Sequence, residues 1–396
     1  MTKPRVLMLP KWYPHRYDDQ DGDFVARHVA AIAPHAQAAV VFATVAHSPL
    51  AELIETEADF SGPVPTWRYY YRRRITGVGA IDKPLKLLLY YYCLGCGYRS
   101  AVRHWGGAWP QLVHVHVLLR TGLFAWWLRW RHTIPYLVTE HWTLYLPARA
   151  KRVSRTRRLL TRWVVQQAAA LHTVSVTLRG AMQALGICHP CTVVIANVVD
   201  TELFRPGDAP GGTTLLLVSA FHDEVKNISG VLRVVAVLRR QFPALRLRVA
   251  GYGPDEALLR QQAAALDMVA DGTVVFLGKL PHAAVATEMQ RATALVSFSR
   301  AETFGCVFLE ARACGCPVVA SRTVPELFQP EGKYGLLVPP DDEGALAAAL
   351  AQVVQGASTF SAAQLRADAV ARCSPTRVGQ AFAELYQTIL FTSSAL

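Results

Sequence analysis

The 396-residue chain is poor in charge: 18% of its residues are Asp, Glu, Lys or Arg, against 52% apolar. Such a composition excludes a disordered chain and a coiled coil. Long hydrophobic runs are also missing. Mean hydropathy is +0.20, yet the two most apolar stretches, 87–97 and 118–130, fall short of the roughly 18 to 20 apolar residues that cross a bilayer. The second is broken by Arg120 and Arg129. The opening MTKPRVLMLPKWYP holds too short an apolar stretch for a signal peptide. The expectation is a cytoplasmic protein, peripheral on the inner face of the cell membrane. No short repeat and no low-complexity tract is present.

Eight cysteines in a chain this long do not form a disulfide framework. Cys93/Cys96 and Cys188/Cys191 have C-x-x-C spacing, which makes a four-thiolate zinc site conceivable. The first pair sits in an aromatic helical pattern without a Gly- and Pro-rich knuckle, so reduced, buried thiols are the expectation.

What the chain has in excess is positive charge. Lys and Arg number 41 against 29 Asp and Glu, a formal net charge of +12. That balance suits an anionic partner such as phosphate, nucleic acid or a membrane surface. Two stretches concentrate it. WRYYYRRR runs from Trp67 to Arg74, and RAKRVSRTRRLLTR runs from Arg149 to Arg162 with seven basic residues and no acidic one. Arginines interleaved with aromatics suit an anionic lipid interface, and peripheral membrane contact is expected through both stretches. No nucleic-acid recognition motif accompanies them, so nucleic acid is not an expected partner.

Short apolar runs alternate with helical patterns along most of the chain. Strands are predicted at 6–10, 40–44, 112–115, 136–139, 173–176 and 193–195, with helices at 24–33, 122–130 and 157–169. A Pro- and Gly-rich segment, FRPGDAPGGT at 204–213, reads as a linker. The alternation then restarts, with strands at 214–219, 245–250, 274–277, 294–297 and 317–320. Helices follow at 229–240, 255–265, 282–291 and 305–314, then at 343–355 and 375–390. The fold class is α/β, with two tandem Rossmann-like domains, 1–203 and 204–374, and a last helical segment, 375–396.

Open α/β sheets hold ligands beyond the carboxyl ends of their strands. Three loops of the second domain occupy such ends. AFHDEVKNISG carries His222 and Lys226, GYGPDE carries Gly251 and Gly253, and SRAETFGCVFLE carries Glu302, Thr303, Phe304, Gly305 and Glu310. Gly305 lets a phosphate approach the first amides of the helix that follows. Glu302 precedes that helix. Glu310 lies about 7 to 8 Å further along it, at about 1.5 Å per residue. Carboxylates suit sugar and ribose hydroxyls because they accept several hydrogen bonds. In the first domain His114 and His116 alternate on one strand face with metal-compatible spacing. No third ligand is evident, so a structural role is expected.

AETFGCVFLEARACGCPVVAS resembles the E-x7-E signature of retaining glycosyltransferases with the two-Rossmann GT-B fold, family 4, with Glu302 and Glu310 as the matching carboxylates. The resemblance continues through Gly315, Pro317, Glu326 and GLLVPP at 335–340. It includes IANVVDTELF with Asn197, Asp200 and Phe204, and TEHWTLY with Glu140, His141 and Tyr145. The opening DGDFVARH, with Gly22, Phe24 and His28, is similar to the first loop of the same proteins.

The resemblance implies an interdomain cleft and a C-terminal helix crossing back to the first domain. It implies that Glu302 contacts the donor sugar, Glu310 holds the nucleotide ribose, and Lys226 holds the diphosphate with the amides around Thr303–Gly305. Family members often carry an Arg four positions before this Lys; here it is His222. His141 matches a histidine facing the reacting centre, and Gly22, Phe24, Glu140 and Tyr145 fall on the acceptor side. The implied partners are a UDP- or GDP-linked nucleotide sugar and a glycan or polyprenyl-linked acceptor of cell-surface polysaccharide or glycolipid synthesis. No cofactor and no metal is expected, since no D-x-D follows a strand. A nucleotide-sugar epimerase of related fold and a non-catalytic sugar-nucleotide or membrane-binding protein are the alternatives.

Overall fold

Strands with nearly every side chain buried organise the first of two sheets. The computed structural model describes residues 3–207, 213–356 and 360–394. The chain divides into two units, Met1–Val198 with Pro375–Leu396, and Val199–Ser374. The first runs β1 (Arg5–Pro10), α1 (Asp23–Ile32), β2 (Gln37–Val45), β3 (Ile54–Asp59), β4 (Thr66–Tyr71), α2 (Gly79–His104), β5 (Leu112–His116) and α3 (Arg120–His132). It continues with β6 (Tyr136–Glu140), α4 (Pro147–Ala150), α5 (Arg155–Gln166), β7 (Ala170–Thr173), α6 (Val176–Ala184) and β8 (Thr192–Val194). The sheet order is β3-β4-β2-β1-β5-β6-β7-β8. Every pairing is parallel except β3 with β4.

The second unit runs β9 (Thr214–Val218), α7 (Asp223–Lys226), α8 (Ile228–Leu238), β10 (Arg246–Ala250), α9 (Glu256–Ala265), β11 (Val274–Gly278) and α10 (His282–Arg291). It ends with β12 (Ala294–Ser297), α11 (Cys306–Ala313), β13 (Val318–Ser321), β14 (Gly335–Val338), α12 (Glu343–Val354) and α13 (Ala362–Cys373). Its order is β11-β10-β9-β12-β13-β14, parallel throughout. Leu215, Leu217, Leu247, Val249 and Val296 from these strands pack with Val231, Val235 and Leu238 of α8 in one apolar core.

The last helix, α14 (Pro375–Ser394), belongs to the first unit. Its Val378, Phe382, Leu385, Tyr386 and Ile389 share a core with Val25 and Val29 of α1 and Val6 and Val40 of the sheet. The approach to α1 is close: a Cβ on Gly379 would stand 2.2 Å from the Ala31 carbonyl oxygen. Helix and sheet also share a buried polar contact. His114 Nδ1 lies 2.6 Å from the Tyr386 hydroxyl, and His114 Nε2 lies 2.6 Å from Thr139 Oγ1. These contacts give His114 the structural role expected of it.

Several expectations shift. The strand expected at 173–176 lies at Ala170–Thr173, because Ser175 caps α6 by accepting the Leu178 amide. β3, β4, α6, β14 and α13, with the short α4 and α7, escaped the periodicity reading. The stretch from Trp67 to Arg74, expected at a lipid interface, is largely β4: Trp67, Tyr69, Tyr70 and Tyr71 are buried. Arg68 there pairs with Glu57 and Asp59 of β3. Charge satisfied across a hairpin looks, in sequence, like charge meant for a partner. Of the linker at 204–213, residues 208–212 lie outside the described residues, and Phe204 is buried. All eight cysteines are free, and no four-thiolate cluster forms among the described residues. Among those residues no helix is long and apolar enough to cross a membrane.

Replacing Tyr386 by Phe leaves the buried His114 Nδ1 without its partner, at a cost of about 1–3 kcal/mol. The expected outcome is a lower urea midpoint for Tyr386→Phe, measured by circular dichroism, with far-UV signal in buffer unchanged.

Candidate functional site

At the carboxyl end of the second sheet, two of the expected residues meet. Lys226 closes the short helix α7 after β9, and Glu302 follows β12; Lys226 Nζ donates to Glu302 Oε1 at 2.6 Å. Their side chains are 23% and 10% exposed, so this is a partly desolvated ion pair with one open side. Ser299 Oγ donates to the same carboxylate oxygen at 2.8 Å and fixes its position. Glu302 therefore presents an oriented carboxylate, and Lys226 a cation already half-neutralised.

Arg300, which the sequence reading passed over, holds the arrangement together. Its amide donates to the Val225 carbonyl at 2.7 Å, and its guanidinium reaches the carbonyls of Asp223 and Glu224 and the Asp341 carboxylate. α7 is thus fastened to the loop that carries Glu302. Asn227, buried at the end of α7, adds a bond from Nδ2 to Asp341. The available signal was position: Arg300 lies two residues before Glu302 in SRAETFG.

Glu310 lies on α11 and is 5% exposed. Its charge helps raise the Cys314 thiol to about 12, behind the larger effect of burial. Gly305 caps that helix with φ 75°, and a Cβ there would stand 2.5 Å from the Phe308 ring. Phe304 is buried, so only its backbone is available to a ligand, and Thr303 is half-buried. His222 is exposed and sits one turn before Lys226, whose amide donates to its carbonyl at 2.8 Å. Gly251 and Gly253 have a packing reason. With φ 142° and 157°, their missing Cβ atoms let the loop lie against Ser219 and Phe221, at 1.8 and 2.6 Å from those carbonyl oxygens.

The first unit's residues separate into framework and surface. Glu140 ends β6 with no exposure; its carboxylate accepts the amides of Leu118 at 3.1 Å and of His141 and Trp142 at 2.8 Å each. Burial raises its pKa above the usual carboxylate range, against the pull of those amides. Tyr145 is fully buried. Both were expected on the acceptor side; Glu140 accepts backbone amides and Tyr145 shows no surface. Gly22 caps α1 with φ 64°, where a Cβ would collide with the Trp12 carbonyl carbon at 2.3 Å. The Phe24 ring lies 4.7 Å from that of His141.

His141 belongs to a group of buried imidazoles. His28, His116 and His141 bring one ring nitrogen each within 4.8 Å of one another, and His116 Nδ1 lies 3.5 Å from His141 Nε2. His28 Nδ1, His116 Nε2 and His141 Nδ1 are buried without hydrogen-bond partners. The partners that the His114/His116 spacing lacked thus come from other elements: His28 and His141 join His116, and His114 stands outside the trio. Among the described residues this trio alone has metal-ligand spacing. It includes no carboxylate. Burial lowers His116 to about 3 and His172 to about 4, and pushes His28, His114 and His141 well down, so all five are neutral near pH 7.

Comparisons place this geometry among known proteins. A family profile described as "Glycosyl transferases group 1" matches residues 212–356, and one described as "Glycosyl transferase 4-like domain" matches residues 23–198. Sucrose-phosphate synthase from Thermosynechococcus elongatus superposes with a TM-score of 0.76 at 20% identity, covering 98% of this chain and 100% of that one. HepE of Anabaena in complex with UDP gives 0.72 at 16% identity, covering 97% and 100%. The fold is therefore the GT-B class. The chain belongs to the group 1, or family 4, glycosyltransferases. It is 34% identical over 207 residues to phosphatidyl-myo-inositol mannosyltransferase from Mycolicibacterium smegmatis, over 50% of this chain. The match spans about half (49%) of that curated relative's length.

Two outcomes follow from the buried groups. Unfolded histidine binds a proton near pH 6.5, whereas His116 and His172 stay neutral in the fold to far lower pH. The unfolded state therefore holds more protons below about 6.5, and stability falls as pH falls. From these two alone, unfolding free energy at pH 5.5 is expected about 3 kcal/mol below its value at pH 7.5, measured by urea titration. Separately, Glu140→Gln places an NH2 against backbone amides and is expected to lower stability by about 1–3 kcal/mol. Nucleotide affinity, measured by calorimetry, is expected to stay unchanged.

Proposed function

We propose that the chain is a retaining glycosyltransferase that moves a sugar from a UDP- or GDP-linked donor to a glycan or lipid-linked acceptor in cell-surface polysaccharide or glycolipid synthesis. The observation that carries this reading is the Lys226–Glu302 pair, 2.6 Å apart at the carboxyl end of a parallel sheet, with Glu310 on the helix that follows. The second unit holds the nucleotide sugar and the first receives the acceptor.

The chemistry follows from the charges. When the bond from the anomeric carbon to the diphosphate oxygen breaks, negative charge grows on the phosphate. Lys226 moves from Glu302 to that oxygen, and the first amides of α11 add a stabilisation of about 0.3–2 kcal/mol. Glu302, released from the cation, accepts hydroxyl hydrogens of the transferred sugar, while Glu310 accepts those of the ribose. The acceptor hydroxyl attacks from the face the diphosphate leaves, and its proton passes to the departing phosphate oxygen. His141 is neutral and acts by hydrogen bonding rather than by charge. Charge neutralisation by Lys226 and helix amides needs no metal-dependent step. Contact with an anionic membrane is assigned to 149–162, where Leu159 and Leu160 are exposed beside Lys151, Arg152 and Arg155.

A thermal-shift screen of UDP, GDP, ADP and CMP tests the donor site. One base is expected to raise the melting temperature of the wild type and not of Glu310→Ala. Glu302→Gln is expected to keep that shift and to lower transfer by about 100-fold or more. No shift with any nucleotide at millimolar concentration would overturn the reading. Proton NMR of the product is expected to show the donor's anomeric configuration.

A further inference from the structure

The first unit has a pocket that the donor chemistry leaves unused. It lies where β1, β2 and β4 end, encloses about 440 Å3, and its walls include Lys11, Trp12, Asp18, Asp21, Tyr90 and Arg120. In a parallel sheet this is the end where ligands are held. Its charges are unevenly matched. Asp21 lies 3.4 Å from His15 Nε2, and Asp18 Oδ1 accepts the Gln20 amide at 3.0 Å.

The two cations have no such partner. Lys11 Nζ lies 4.4 Å from the centre of the Trp12 ring and 3.5 Å from that of Trp142, and Arg120 stands over Tyr90 at 5.9 Å. Among the described residues neither forms an ion pair. A third cation, Arg157, lies over the other ring that holds Lys11, 4.8 Å from Trp142. Aromatic faces attract a cation weakly compared with an anion, and an ammonium drawn out of water needs more than they supply. Burial lowers Lys11 to about 8; Arg157 and Arg120 add to the fall, and the carboxylates of Glu140 and Asp21 oppose it.

We propose that this pocket binds the anionic end of the acceptor, a phosphate ester carried on a sugar or on a lipid, with Lys11 and Arg120 as its ligands and Trp12 as the wall against which a sugar ring packs. This rests on the reading of the first unit as acceptor-binding. It adds what that reading leaves open, the chemical class of the acceptor. A phosphate gives both cations the direct contact that Glu140 and Asp21, which act on Lys11 only at longer range, do not, and its oxygens accept from an ammonium and a guanidinium together.

Isothermal titration calorimetry on the full chain tests it, in a Lys226→Gln background so that the donor diphosphate residues do not contribute. The probes are glucose 6-phosphate against glucose, and phosphatidylcholine vesicles with and without polyprenyl phosphate. At least one phosphate-bearing probe is expected to bind about 10-fold or more tightly than its neutral counterpart. Lys11→Gln and Arg120→Gln are each expected to abolish that preference, and Lys11→Arg to keep it. Preference for the sugar phosphate assigns a soluble acceptor; preference for the vesicle phosphate assigns a lipid-linked one. Absence of any preference, or a preference that survives Lys11→Gln in a chain with native circular dichroism, would overturn the proposal. A failed nucleotide screen with this preference intact would instead remove the donor reading and leave an anion site standing.

Discussion

A parallel strand cannot turn straight into its neighbour; the chain must cross back over a face of the sheet before the next strand begins. Each parallel strand therefore delivers its following loop to the same end. The second sheet obeys this at every pairing, and the first at all but β3–β4. Lys226 and Glu302 meet across 76 positions of sequence for this reason, one after β9 and one after β12, strands that are neighbours in the sheet. The same rule sets Lys11 after β1, His116 at the end of β5 and His141 just after β6. Distance along the chain matters little once the strand order is set.

Both units pair charge near their surfaces, the first through Arg68 with Glu57 and Asp59, but their interiors differ. The second keeps its charges and pairs them: Lys226 with Glu302 at the surface, Arg312 with Asp368 in the interior. Arg312 also donates to the carbonyls of Tyr334 and Leu327, so the helix bearing Glu310 is fastened to α13 and to the segment before β14. A buried pair of this kind adds little net stability, because desolvation offsets most of the attraction. Its effect is positional. The interior of the first unit instead buries five imidazoles in neutral form and clamps three amides with Glu140.

Much of the fold was legible because parallel strands buried on both faces read as continuous apolar runs. The helix at 282–291 and the strand at 294–297 fell where periodicity placed them. β3 and β4 were not legible, since ETEAD and WRYYY carry charges whose partners lie elsewhere in the sequence, Arg68 with Glu57 and Asp59, and Glu55 with Arg16. Of the site, Glu302 and Lys226 could be read from loop position and motif, and their pairing could not, because a contact between loops is fixed by strand order. His28 and His116 remained unconnected in sequence for the same reason. Arg300 gave no signal beyond proximity, as an arginine that binds carbonyl oxygens has no pattern of its own. Lys11 was not singled out in the sequence; only the rings around it show how little water it keeps.

The membership of α14 in the first unit bears on the order in which the protein is made. A ribosome releases β1 well before α14, so the apolar face on which Val378, Phe382 and Ile389 pack waits until the whole second unit has been synthesised. During that interval His114 has no Tyr386 to meet, and α1 shows an apolar surface to the surroundings. The second unit, being continuous in sequence, can complete its core earlier. The nascent chain thus matures from the middle outward, and the half synthesised first is the half finished last.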